Sequence, residues 1–175
     1  MHLLGVDIST TTIGLTILNE KKELVLIDYI KPNGNTFLEK ALSVEQQFQE
    51  KIKIPIDKIA AEQPSMMFKQ GKSSAQIIAT ILRFNGIVHF ILYKLYNIYP
   101  QEMAASTARK LTTGVGIYKK PLNAKEECFK WLEKNVQMPS SWPVKKQGQN
   151  KGQLADEAFD MSDSYIIALA ALKFV

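Results

Sequence analysis

The sequence predicts an α/β fold in which a mixed β-sheet is wrapped by helices. Two observations support this prediction. Three short apolar segments near the N-terminus are joined by polar turns, and helical segments then alternate with two further strand-like segments. The first three strands follow one another through short connections, so we expect an antiparallel meander. A chain of 175 residues fits one domain, which we expect to span residues 1–175.

Five segments have the pattern of strands, at residues 1–8, 13–19, 23–30, 57–62 and 97–103. The first is an apolar run interrupted by Gly5 and Asp7, and a turn of hydroxyl side chains follows it. The fourth ends on Glu62. Pro100 weakens the fifth prediction, because proline cannot donate a backbone hydrogen bond in a sheet.

Helices are predicted to begin near residues 36, 73, 106, 123 and 156. Thr36 with Glu39, and Asn123 with Glu126, have the spacing of a capping box, which marks a helix N-terminus. The second helix, 73–95, is long and strongly apolar. Gly86 in its middle costs about 1 kcal/mol relative to alanine, so we expect another backbone to pack closely there. This helix also has more apolar surface than one sheet face needs, which predicts a dimer interface.

The composition is that of a globular chain, with a net charge of +5 and a pI near 9.2. A basic excess favours anionic partners, nucleic acid first among them. The only cysteine, Cys128, excludes an intramolecular disulfide and a cysteine zinc cluster. We find no signal-peptide pattern, and the longest uninterrupted apolar stretches are shorter than the ~20 residues of a membrane span. We therefore expect a soluble, cytoplasmic protein without membrane contact.

Four acidic residues stand out as candidate catalytic and metal-binding residues: Asp7, Glu62, Asp160 and Asp163. The first two lie at the ends of predicted strands, and the last two are three residues apart and share a helix face. Asp156 lies on that face as well, but we interpret it as the N-cap of the final helix. A strongly apolar segment follows Asp163, which argues against an exposed face.

Carboxylates from separate segments are the ligands that Mg²⁺ prefers, together with water and phosphate oxygens. Four of them would hold two ions, which in an in-line phosphoryl displacement stabilise the attacking and the leaving oxygen. An acidic centre in a basic chain is the charge pattern of a magnesium nuclease. The sequence therefore predicts a two-metal nuclease, with lysines on the DNA backbone.

The residues predicted to contact DNA are basic or aromatic and lie in the loop after Glu62 or before the final helix: Phe68, Lys69, Lys72, Lys110, Lys119, Lys120, Lys125, Lys145 and Lys146. Lysines neutralise phosphates. Phe68 is predicted to stack on an unpaired base at a junction centre. The segment 139–152 contains further lysine among glutamine and glycine, and is predicted to be the least structured part of the chain.

Three motifs in this order resemble those of the RuvC family of Holliday junction resolvases, in the RNase H-like superfamily: Leu3-Leu4-Gly5-Val6-Asp7-Ile8-Ser9, Ala60-Ala61-Glu62-Gln63 and Phe159-Asp160-Met161-Ser162-Asp163-Ser164-Tyr165. The resemblance covers nearly the whole chain. It implies an RNase H-like, five-stranded mixed sheet, antiparallel over the first three strands and then parallel, flanked by helices. It also implies a homodimer with two active sites that require Mg²⁺ or Mn²⁺ and nick four-way junctions in pairs, leaving 5′-phosphate and 3′-hydroxyl ends.

The sequence departs from this family at two motif positions, and segments 118–122 and 139–152 also diverge from it. Ile8-Ser9 stands where the bacterial members usually have Pro-Gly, and Ser65 stands where an aromatic residue often follows the Glu-Gln pair. A divergent viral or phage branch would fit these departures, in which case we expect the protein in the host cytoplasm. They make junction selectivity a weaker prediction than nuclease chemistry.

Three alternatives remain at this point. The segment around Asp7 also resembles the phosphate loop of sugar kinases and actin-like ATPases, although those proteins need two such domains. The YqgF-type RNA-processing nucleases have a similar first strand. A DNA-binding protein without catalysis would leave the four acidic residues unexplained.

Overall fold

The computed structural model describes residues 1–64, 75–114, 124–136 and 142–174 and has a five-stranded sheet flanked by helices. The strands are β1 (His2–Ile8), β2 (Ile13–Asn19), β3 (Leu24–Ile30), β4 (Lys58–Glu62) and β5 (Gln101–Met103). Their order in the sheet is β3-β2-β1-β4-β5. The first three strands are antiparallel, β4 is parallel to β1, and β5 is parallel to β4. The predicted mixed topology is therefore confirmed.

The helices described in these ranges are α1 (Phe37–Lys51), α2 (Ala75–Tyr96), α3 (Ala105–Thr113), α4 (Ala124–Asn135) and α5 (Asp156–Ala171). The predicted capping box opens α1, since the Thr36 side chain accepts from the Glu39 backbone and the Glu39 carboxylate accepts from Thr36. The second predicted capping box includes Asn123, which lies outside the described residues.

The sheet has two apolar faces because successive side chains of a strand point to opposite sides. On β1, Leu4, Val6 and Ile8 pack into one core with buried residues of α1 and α2. Leu3 packs into the other core, which α5 dominates together with residues of α3 and α4. Asp7 follows the alternation of Leu3, so the first acidic residue lies on the α5 side of the sheet.

Three predicted features differ in the structure. The fifth strand is shorter than 97–103, because Asn97 has a left-handed backbone (φ 55°) and Pro100 precedes the first paired residue. The N-cap of α5 is Ala155 and not Asp156, which is the first helical residue. The segment 142–154, predicted to be part of the least structured region, is an ordered hairpin closed by a bridge between Val144 and Leu154.

Helix α2 is long and apolar enough, by length and composition alone, to cross a membrane. This property was not predicted from the sequence, where the longest apolar stretches were taken as 87–96 and 165–172. In the structure, however, one face of α2 is buried in the first core through Phe84, Val88, Ile91 and Leu92. That packing is characteristic of a helix that covers a sheet.

Candidate active site

Asp7 is buried near the end of β1, where it pairs across the sheet with Gly14 of β2. The turn between the two strands is closed by its own hydroxyl groups. The Ser9 hydroxyl donates to the Thr12 carbonyl over 2.7 Å and accepts from the Thr12 backbone N–H over 3.0 Å. The turn beside Asp7 is therefore held in place by hydrogen bonds among its own residues.

Glu62 ends β4, the parallel neighbour of β1, so both acidic residues lie at the same end of the sheet. The carboxyl groups of Asp7 and Glu62 lie close enough to interact directly. Burial raises the pKa of Asp7 well above its usual range, and the contact with Glu62 and the negative charge of Asp163 raise it further. Two carboxyl groups in contact need a shared proton or a bound cation.

Two glycines let α5 lie directly on the sheet above these strands. A Cβ atom on Gly5 would stand 2.7 Å from the Ala168 Cβ atom, and one on Gly14 would overlap the backbone of Asp160. Thr16 and Ser164 form a buried hydrogen bond of 2.8 Å between β2 and the helix. The close approach carries the two acidic residues of α5 to the strand end that bears Asp7.

Asp160 and Asp163 are both buried, as the apolar segment that follows them predicts. Burial raises the pKa of each carboxyl group, and neighbouring cations oppose that shift. Lys125 of α4 donates to Asp160 over 2.8 Å and lies 3.6 Å from Asp163. Arg109 of α3 donates through one terminal nitrogen to both Asp163 oxygens, at 3.0 and 3.2 Å.

Lys125 is the cation shared by the site. Burial alone lowers the pKa of its ammonium group, but the charges of Asp7, Asp160 and Asp163 raise it well above its usual range. Lys125 therefore stays protonated and neutralises part of the acidic centre. It was predicted to contact DNA, and the structure places it on the acidic residues.

Carboxylates are the ligands that a hard divalent cation prefers, and those of two strands and one helix lie at the same end of the sheet. Within the residues that the structure describes, no three acidic, histidine or cysteine side chains are grouped closely enough to form a ligand set. The contacts explain this spacing: Lys125 and Arg109 engage the oxygens of Asp160 and Asp163, while Asp7 and Glu62 face each other.

The remaining predicted DNA contacts fall into two groups. Lys110 lies exposed on α3, Lys145 lies 3.7 Å from Asp156, and Lys146 is exposed on the hairpin. The others lie outside the described residues: Phe68, Lys69, Lys72, Lys119 and Lys120. A cleft of about 910 Å³ opens beside Asp160 between α4 and the start of α5, and Ser9, Lys125 and Lys145 contribute to its walls.

Sequence reasoning missed Arg109. The neighbouring Lys110 was selected instead, because both residues precede the Gly114 loop and nothing in the local pattern shows which one points inward. Helix geometry supplies a signal in hindsight. Ala108 is fully buried while Lys110 is exposed, so Arg109 lies at the boundary of the buried face, where a long cation reaches a buried acid.

No protein-family model and no curated protein matches the sequence. Several solved structures, in contrast, have a similar fold. Thermus thermophilus RuvC is similar over 99% of this chain and 95% of that chain, with a TM-score of 0.63 and 16% identity. The yeast mitochondrial Holliday junction resolvase Ydc2 is similar over 98% of this chain and 78% of that chain, with a TM-score of 0.59 and 13% identity.

The fowlpox virus Holliday junction resolvase matches end to end, over 100% of both chains, with a TM-score of 0.54 and 14% identity. Thermus thermophilus RuvC in complex with a Holliday junction substrate also matches, over 97% of this chain and 92% of that chain, with a TM-score of 0.65 and 16% identity. The chain therefore has the RNase H-like fold of the RuvC-type resolvases, as its three motifs predict.

Proposed function

We propose that this protein is a metal-dependent endonuclease that resolves Holliday junctions or other branched DNA in recombination and repair. It hydrolyses phosphodiester bonds by paired nicking and leaves 5′-phosphate and 3′-hydroxyl ends. The observation that carries this proposal is the convergence of Asp7, Glu62, Asp160 and Asp163 at one end of a RuvC-type sheet, beneath Lys125 and Arg109.

The acidic residues would hold two Mg²⁺ or Mn²⁺ ions, which when bound stabilise the negative charge of in-line phosphoryl transfer. The other functions belong to the protein's own side chains. Arg109 fixes the orientation of the Asp163 carboxylate through contacts to both of its oxygens. Lys125, held over the acids and lining the adjoining cleft, presents a positive charge to the approaching phosphate.

The active unit is proposed to be a homodimer formed through α2. Leu82, Gly86, Phe90 and Tyr93 lie three or four residues apart and so share one face of this helix. Phe90 and Tyr93 are 67% and 49% exposed, far more than a monomeric surface requires of large apolar side chains. A second copy packed on this face would provide the two active sites that paired nicking requires.

Two further features of this face support a second copy as its occupant. A Cβ atom on Gly86 would meet nothing within 4 Å, so the close packing expected there does not come from the described part of the same chain. His89 Nε2 is buried without a hydrogen-bond partner among the described residues, in a cavity of about 550 Å³. A partner helix that approaches over Gly86 would account for the glycine and would cover the cavity beside His89.

One substitution tests the proposed dimer interface. Gly86→Gln leaves room for the side chain within its own chain, so the folded state should persist while the dimer dissociates. Light scattering at micromolar protein should give a dimer for the wild type and a monomer for the variant. A monomeric wild type would contradict the proposed interface.

The function is tested by a cleavage panel with Mg²⁺ that contains a four-way junction, a flap, a replication fork, linear duplex and an RNA–DNA hybrid. We expect the four-way junction to be cut fastest, with ligatable nicks at symmetric positions. Preferred cleavage of RNA would favour the YqgF-type alternative. ATP hydrolysis in the absence of DNA, without cleavage of any branched substrate, would contradict the nuclease assignment.

A further inference from the structure

Residues 144–154 form a compact hairpin directly before α5. Val144 and Leu154 pair across its base, and the Lys145 N–H donates to the Gln153 carbonyl over 2.8 Å. The Gly152 N–H donates back to the Lys145 carbonyl over 2.9 Å. Gly148 and Gly152 have positive φ values of 82° and 87°, which glycine adopts without strain. The hairpin therefore has a defined shape.

The base of the hairpin is fixed to the helices that carry the site. The Trp142 ring packs on Phe129 of α4 with 4.7 Å between ring centroids. The Ala155 N–H donates to the Pro143 carbonyl over 2.9 Å, directly before the first residue of α5. Lys145 reaches Asp156, one helical turn before Asp160. The hairpin consequently keeps a set position relative to the acidic residues.

This position makes the hairpin a ridge between two open clefts. On one side, Lys145, Gln153 and Leu154 line the cleft of about 910 Å³ that also contains Asp160 and Lys125. On the other side, Lys146 and Gln147 line a cleft of about 780 Å³. This cleft extends to Tyr29 of β3 and to Lys31, which directly follows that strand. A DNA strand that enters the acidic site through the first cleft passes beside this ridge.

The composition of the ridge suits contact with nucleic acid. Residues 145–153 comprise three lysines, three glutamines, one asparagine and two glycines, with neither an acidic nor an apolar side chain. Gln147, Gln149 and Asn150 are exposed at its tip, and their amide groups make no hydrogen bond within the part of the chain that the structure describes. Lysines contact phosphates, whereas Gln and Asn amides pair with base edges, adenine above all.

We propose that the 144–154 hairpin enters a groove of the DNA arm beside the cleaved bond, where Gln147, Gln149 and Asn150 read base edges. The hairpin thereby sets the nucleotide sequence at which the site cuts, while Lys145, Lys146 and Lys151 hold the flanking phosphates. This inference rests on the proposed nuclease function and names the element that gives it sequence selectivity. The two sets of side chains predict two separable effects, since phosphate contacts carry no direct sequence information.

The test uses four-way junctions with randomised bases around the crossover, cleaved by the full-length protein with Mg²⁺ and sequenced at the cut ends. The wild type should favour one short sequence by tenfold or more, since one bidentate amide–base pair gives about 5- to 150-fold discrimination. The triple variant Gln147→Ala, Gln149→Ala, Asn150→Ala should cut with a preference below about threefold. Its affinity for junctions should change little.

A second variant combines Lys145→Ala, Lys146→Ala and Lys151→Ala. It should weaken binding to all sequences alike. The slope of log affinity against log salt concentration should become shallower by about three, one for each lost phosphate contact. Matched controls lie elsewhere: Gln46→Ala with Gln49→Ala on α1, and Lys21→Ala with Lys58→Ala at the opposite end of the sheet from Asp7. Both controls should retain the wild-type preference and affinity.

The outcomes separate this inference from the function on which it rests. If the wild type cuts junctions without sequence preference, or if the amide variant keeps the wild-type preference, the hairpin does not read DNA while the nuclease assignment stands. If the wild type cuts no branched substrate, the proposed function fails, and the proposed role of the hairpin fails with it. Thermal unfolding of each variant identifies any loss that arises from misfolding.

Discussion

Gly14 and Asp160 are in direct contact: the backbone of the helical acid lies where a side chain on the strand glycine would begin. Gly14 is also the residue that pairs with Asp7 across β1 and β2. One position without a side chain therefore sets the distance between the acidic residue of β1 and those of α5. The geometry of the candidate site depends on this contact as much as on the carboxylates.

Gly14→Ala should separate α5 from the sheet and damage the site without removing any of its functional groups. Overpacking of this kind typically costs about 1–3 kcal/mol, and the shift of Asp160 should lower cleavage more than tenfold. The control is Gln49→Ala at an exposed position of α1, where alanine has the higher helix propensity and should stabilise slightly. Chemical denaturation should show opposite signs for the two variants, and equal effects would contradict this packing.

Glu62→Gln should stabilise the protein when no divalent ion is present. The pKa of Asp7 is raised in the folded state, so the folded protein binds its proton more tightly than the unfolded chain does. This contribution to stability is complete below the unfolded pKa near 4 and is lost as the pH rises through the folded pKa. An amide at position 62 removes one negative charge and donates to Asp7.

The gain in stability of Glu62→Gln should accordingly be small near pH 4 and about 1 kcal/mol near pH 8, equivalent to ~2–4 °C in Tm. Thermal unfolding in EDTA across this range measures it, with Glu102→Gln on the exposed part of β5 as control. Added Mg²⁺ should stabilise the wild type more than Glu62→Gln. A variant less stable than the wild type at every pH would contradict the contact between the two carboxyl groups.

Lys125→Gln should destabilise the metal-free protein, because Asp160 and Asp163 lose a shared cation. The lysine side chain is 43% exposed, so solvent screening limits the loss to about 1 kcal/mol. Mg²⁺ should raise the Tm of this variant more than that of the wild type, since no ammonium group competes for the carboxylates. Lys130→Gln on the same helix, which pairs only with Glu127 in the described part of the chain, should behave as the wild type does.

The topology of the first four strands was predictable because each has an apolar pattern and the two connections among β1, β2 and β3 are short. Asp7, Glu62, Asp160 and Asp163 were identifiable because a carboxylate in an apolar run is costly to bury without a partner. Arg109 was not identifiable, since its role depends on how α3 packs against α5. The hairpin was misjudged for a related reason: its glycines and glutamines look unstructured until Trp142 and Phe129 fix its base.

Gly86 is a second position at which packing could not be predicted from the sequence. The close packing of another backbone that the sequence predicts at this glycine is absent from the described part of the chain. Sequence reasoning identifies a glycine whose cost needs an explanation. The described part of the chain does not supply that explanation, and the proposed second copy of the chain would.

The most direct test of the central proposal compares wild type and Asp7→Asn on one four-way junction, in Mg²⁺ and in EDTA. We expect paired nicks by the wild type in Mg²⁺, none in EDTA, and a loss of at least about a thousandfold for Asp7→Asn, with junction binding retained in a gel-shift assay. Asp7→Asn that cleaves at a rate near that of the wild type, or wild-type cleavage that persists in EDTA, would contradict that proposal.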